Sequence, residues 1–124
     1  MSDNTLKKKS LLFAIRIVEL NKILVKDQKE FVLSRQLLRS GTSVGAMVRE
    51  AEHAESKADF IHKLAIAQKE INESLYWLEL LFHTNYLNLT DYKNYESEGT
   101  ELLKLLTSSI RTAKSRLKRW MISG

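Results

Sequence analysis

Cysteine is absent from the 124 residues, which excludes a disulfide framework, a thiolate metal site and a cysteine nucleophile. Proline is absent too, and glycine occurs four times, too seldom for the turns that most β and α/β folds of this length require. No run of 18 apolar residues exists. The stretch 11–18 is apolar but interrupted by Arg16, so no membrane-spanning helix is expected. Residues 1–10 are polar and lysine-bearing with no signal-type apolar region after them, and the expected compartment is the cytoplasm. What remains is a chain sized for one domain, able to bury roughly two thirds of its surface without staples. Twenty Lys and Arg against fifteen Asp and Glu give a net charge of +5. That excess permits an anionic partner without demanding one.

Apolar residues recur at helical spacing almost throughout, with three interruptions. The pattern predicts an all-α, antiparallel up-down-up-down four-helix bundle, with helices at about 8–26, 28–54, 57–84 and 91–121. In the first helix Leu11, Ala14, Ile15, Val18 and Val25 form the expected inner stripe. Asp27-Gln28-Lys29-Glu30 reads as a capping box opening the second helix, whose apolar face is Phe31, Leu37, Leu38, Val44 and Val48. Within it lies Ser40-Gly41-Thr42-Ser43-Val44-Gly45, poor helix material, since each glycine costs about 1 kcal/mol relative to alanine. Either the helix breaks there, or it continues because Gly41 and Gly45 share one face and admit a neighbouring backbone. Periodicity resumes in phase at Val48 and Ala51, which favours continuation. Ser56-Lys57-Ala58-Asp59 is a second capping box, ahead of a stripe running Phe60, Leu64, Ala67, Ile71, Leu75, Leu78, Leu81. Thr90-Asp91 is the expected cap of the last helix, with Leu103, Leu106, Ile110, Ala113, Leu117 and Trp120 at core spacing and Gly99 as a soft spot.

Catalytic constellations are lacking. Glu50-Ala51-Glu52-His53 contains one Glu-x-x-His, but a di-iron bundle needs two such units and two more inward glutamates. His62 and His83 are isolated, and no serine sits in a Gly-x-Ser-x-Gly elbow. Residues 40–45 lack the spacing of a phosphate loop. Neither a metal nor another cofactor is implied, and the expectation is a non-enzymatic protein.

Two clusters carry the binding signal. Lys7, Lys8 and Lys9 stand at the first helix's start, and Arg111, Lys114, Arg116, Lys118 and Arg119 at the last helix's end, with no acid among residues 102–124. An up-down bundle brings these ends to one pole, where three plus five cations form a patch of formal charge +8. Such a patch would hold phosphates with salt-sensitive, sequence-indifferent affinity. The structural alternative is that cations simply offset a helix C-terminal dipole. The second cluster, Tyr76-Trp77-Leu78 followed by Leu80-Leu81-Phe82, holds too many apolar residues for one stripe. Tyr76, Trp77 and Leu80 point away from the inner face and are the expected subunit interface, unless the core face is simply wide.

The run Ser34-Arg35-Gln36-Leu37-Leu38-Arg39-Ser40-Gly41-Thr42-Ser43-Val44-Gly45-Ala46 resembles the signature of the 23S ribosomal RNA intervening-sequence (S23) family. The likeness continues through Glu50-Ala51, Ser56-Lys57, Asp59-Phe60-Ile61-His62-Lys63-Leu64, Ile66-Ala67, Lys69-Glu70, Glu73-Ser74 and Tyr76-Trp77-Leu78, covering about residues 31–83. Met47 departs from it, standing where relatives commonly carry asparagine. The resemblance implies a bacterial cytoplasmic four-helix bundle. It also implies a homopentameric ring with a basic surface, as in the similar accessory proteins of diversity-generating retroelements, which bind nucleic acid and a reverse transcriptase. It does not imply a ribosomal structural protein. The expected partners are therefore further copies of the chain and RNA or DNA, with a protein-interaction scaffold free of nucleic acid as the alternative.

Overall fold

In a computed structural model, which describes residues 3–123, the chain forms α1 (Asp3–Lys26), α2 (Leu33–Glu52), α3 (Lys57–His83) and α4 (Leu89–Ser123). No helix is long and apolar enough to cross a membrane, among the described residues. Four helices with short connections were expected, and the glycine segment is indeed continuous helix within α2.

The helix starts differ from the sequence expectation at α1, which begins at Asp3 and not at about residue 8, and at α2 and α4. Residues 27–32 are a turn rather than the first turn of α2, with Lys29 in the left-handed region (φ 55°). Asp27 caps nothing there. The buried Glu30 carboxylate instead accepts the amides of Val32 (3.1 Å), Leu33 (3.1 Å) and Ser34 (2.6 Å), which otherwise lack helical partners. At α4 the cap is Asn88, not Thr90-Asp91: its Oδ1 accepts the Asp91 amide at 2.8 Å. The expected cap of α3 forms, the Ser56 hydroxyl accepting the Asp59 amide at 3.0 Å. After α3, Asn85 takes the left-handed conformation (φ 69°) while the Tyr86 amide donates to the Leu81 carbonyl, a Schellman closure.

Neighbouring helices pair with residue numbers running in opposite directions, which makes each pair antiparallel. Across α1 and α2, Lys7 meets Glu52 and Asn21 donates to the Ser34 carbonyl. Across α2 and α3, Glu50 meets Lys63 and Arg39 meets Glu73. Across α3 and α4, Lys57 lies over Trp120, Gln68 donates to Thr107, and Phe82 stacks on Tyr92. The core holds Leu37, Val44, Val48, Leu64, Ala67, Ile71, Leu78, Leu81, Leu106 and Ile110 as the periodicity predicts. Helix α1 is the exception. Its buried stripe is Leu6, Phe13, Ile17, Leu20 and Leu24, while Leu11 and Ile15 are each 47 % exposed. Phe31 is exposed as well, because it precedes α2.

Lys9 meets Glu101, and helices rise equally per residue, so the start of α1 comes level with about residue 107 of α4. Beyond that point α4 runs on past α1. Its outer turns rest on the first turns of α3, where Phe60 and Lys57 face Ala113 and Trp120.

Candidate nucleic-acid interface

The extension of α4 past α1 sets the character of one pole. Arg111, Lys114, Arg116, Lys118 and Arg119 are all exposed. Among the described residues no carboxylate lies within ion-pair distance of Arg111, Lys114, Arg116 or Lys118. At 100° per residue Arg119 lies opposite the stripe of Leu106, Ile110 and Leu117, Arg111 and Lys118 lie to one side of it and Arg116 to the other, and Lys114 is the nearest to it. The cations therefore spread over the solvated face instead of crowding onto one line.

The lysines of α1 reach the same pole but do not add their full charge. Lys7 sits 3.5 Å from Glu52 and Lys9 2.5 Å from Glu101. Among the described residues, Lys8 alone of the three is exposed with no such partner. The merged +8 patch expected from sequence is thus divided by two carboxylates from α2 and α4. Trp120, expected in the core from its spacing, is 62 % exposed. Its position falls past the reach of α1, and Lys57 lies 5.4 Å from its ring centroid. Met121 and Ile122 beyond it are exposed too.

The aromatic cluster of α3 divides as well. Tyr76 is 58 % exposed, as expected of a surface residue. Trp77 is half-buried against the core, and its indole N–H donates to Glu73 at 2.9 Å. That bond, with Arg39 beside it, holds the Glu73 carboxyl below the ordinary carboxylate range against the opposing pull of desolvation. Leu80 is half-buried. Trp77 thus has a role inside the protomer, between α2 and α3.

Gly41 and Gly45 both face α1. A Cβ on Gly41 would stand 2.9 Å from both γ-carbons of Ile17, and one on Gly45 would meet the Ser10 carbonyl at 3.5 Å. Gly99, expected as a weak point, is a third close approach: its Cβ would fall 2.8 Å from Leu75 Cδ2. The serines beside these glycines extend the theme. Ser40 and Ser74 are both buried, and their hydroxyls meet at 2.8 Å across α2 and α3.

Glu50 and His53 border an open, mixed-charge groove of about 600 Å³ with Arg49, Glu55, Asp59 and Lys63. Two of its carboxylates are already engaged, Glu50 by Lys63 and Asp59 by the Glu55 amide. Among the described residues, no group of three or more His, Asp or Glu stands close enough to hold a metal ion.

A family model described as 23S rRNA-intervening sequence protein matches residues 2–108. The chain belongs to that family. The similar solved structures include the crystal structure of a protein with unknown function from the S23 ribosomal protein family of Bacteroides thetaiotaomicron. It is 58 % identical, covers 90 % of this chain and 99 % of its own, and superposes with a TM-score of 0.88. No curated protein matches. Residues 109–124, with Arg111, Lys114, Arg116, Lys118, Arg119 and Trp120, lie outside the span that the 23S rRNA-intervening sequence model matches. The family-like run 34–46 maps to contacts within the bundle: Gly41 against Ile17, Ser40 against Ser74, Arg39 against Glu70 and Glu73. Family membership therefore attaches to the packing of α2 between α1 and α3.

Sequence reasoning missed the groove between α4 and the α2–α3 turn, which Phe60, Lys57 and Arg116 line together. Its signal was the length of the last amphipathic stretch, longer than the first helix can cover.

Proposed function

We propose that this protein is a non-enzymatic, self-associating helical bundle that holds nucleic acid through the outer turns of α4. The observation carrying this reading is the set of four exposed cations, Arg111, Lys114, Arg116 and Lys118, with no carboxylate at ion-pair distance among the described residues, on a helix that has outrun its neighbour. Cations kept only to offset a helix dipole serve within the last turn. Arg111 stands about three turns and Lys114 about two and a half turns from the end of α4, too far in for that role. Lys8 supplements them, and Lys7 and Lys9 contribute only as their carboxylate partners allow. Self-association, in a ring of five as the family resemblance implies, would present the cluster five times and raise avidity without any new contact.

The test is fluorescence anisotropy with labelled RNA and DNA oligonucleotides between 50 and 200 mM salt. Five phosphate contacts to a single strand give a slope of about −3.5 in log affinity against log salt, a loss of about a hundredfold over that range. The triple variant Arg111→Glu, Lys114→Glu, Lys118→Glu is expected to flatten that slope by at least 2 and abolish measurable binding at 200 mM. Binding that survives the triple change sinks the assignment. The second reading, a protein-interaction scaffold, draws on the exposed apolar residues of α1. A protein partner retained after nuclease treatment favours it.

A further inference from the structure

The outer turns of α4 do more than display charge: they roof a groove of about 460 Å³ against the end of α2 and the start of α3. That volume lies within the range of about 300–1,000 Å³ usual for small-molecule sites. Ala51, Phe60 and Ala113 supply its apolar walls, and Lys57 and Arg116 its cations. Glu52 also borders it, but its carboxylate faces Lys7 at 3.5 Å. Two lining cations therefore stand against one carboxylate, which Lys7 already pairs from outside the groove. Beside that mouth stands the exposed ring of Trp120, approached from one side by Lys57.

A phosphate backbone alone needs none of these apolar surfaces. Paired bases, for their part, cannot enter such a groove, because their faces are stacked inside the duplex. An unpaired base has a free π-face for Trp120 or Phe60, and its flanking phosphates lie within reach of Lys57 and Arg116. We infer that this pole takes unpaired nucleotides, one base lodging between the α4 roof and the α2–α3 turn. The inference rests on the nucleic-acid reading above and specifies its substrate as single strand rather than duplex.

The experiment compares a labelled 20-nucleotide single strand with the same sequence as duplex, in RNA and DNA, at fixed salt, with the intact protein and Trp120→Ala. The tryptophan emission of the unaltered protein is followed in parallel. The expected result is single-strand preference, quenching by single strand alone, and a loss of about 5- to 100-fold for single strand in Trp120→Ala. Duplex affinity should stay within twofold. Lys57→Ala provides an independent check, with a smaller loss confined to the single strand. Equal affinity for both forms, with Trp120→Ala inert, overturns this inference while leaving the charge-based reading intact. No binding of either form overturns both. A blue-shifted emission on phosphatidylglycerol vesicles, without response to oligonucleotide, reassigns the pole to a lipid surface.

Discussion

At Gly41 an added methyl would meet Ile17 of α1, whose β-branched side chain has little freedom to withdraw. Alanine there gains about 1 kcal/mol of helix propensity but forces an overlap costing about 1–3 kcal/mol. The expected net effect of Gly41→Ala is a loss near 1 kcal/mol. At Gly45 the added methyl meets the Ser10 carbonyl at ordinary contact distance, so Gly45→Ala should be neutral or stabilising by up to about 1 kcal/mol. Chemical denaturation of both variants checks the pair, and equal effects would show that α1 does not discriminate the two sites. Their four-residue spacing made the shared face legible in sequence. Which of them is tight was not, because that depends on Ile17, a residue the sequence reading left out of the core. The buried Ser40–Ser74 contact was equally hidden: two small polar residues 34 positions apart carry no periodic signal.

Helix α1 shows why the phase of an element can be misread even when its existence is plain. Leu11, Ile15 and Val18 sit at i, i+4 and i+7, and so in their own phase do Leu6, Phe13, Ile17, Leu20 and Leu24. Both stripes satisfy helical periodicity, and only docking against α2 and α4 selects the second. The start of α2 was misread for a different reason. Glu30 was expected to reach back into a capping box, whereas it reaches forward to three amides of a helix beginning at Leu33. Burial pushes its carboxyl up, but the amides of Ser34, Leu33 and Val32 and the Ser34 hydroxyl outweigh that and leave it below the usual value of 4.5. Because the unfolded carboxyl then binds protons more readily than the folded one, the cap's contribution is complete above about pH 4.5. It is lost as pH falls further, through the folded value. Glu30→Gln should cost about 1–2 kcal/mol at pH 7, with the gap to the unaltered protein closing below pH 4.5. Thermal unfolding across pH 3–7 measures this, and a gap independent of pH would mean the charge contributes nothing.

For the whole molecule, the stripe that α1 leaves outside is the stronger ground for self-association than the α3 cluster expected from sequence. Trp77 is committed to Glu73 within the protomer, and Leu80 is half-buried, which leaves Tyr76 as a single exposed ring. Leu11, Leu12 and Ile15 instead present contiguous apolar surface on one helix, each about half exposed. Isolated exposed apolar residues are ordinary on a monomer, whereas a contiguous patch marks a contact site. The cations of residues 111–119 lie at the pole, leaving the flank of α1 to pack while the charged ends face outward. Light scattering on a sizing column should then give a mass near five times 14.4 kDa, about 72 kDa. The double change Leu11→Glu, Ile15→Glu alters no buried side chain and should return the protein to 14.4 kDa with its helical circular dichroism unchanged. Tyr76→Glu should leave the assembly whole. If Tyr76→Glu dissociates it and the α1 pair does not, the contact lies on α3, and the outward stripe of α1 needs another occupant. A monomer at every concentration removes the ring and, with it, the fivefold repetition that the proposed phosphate binding would draw on.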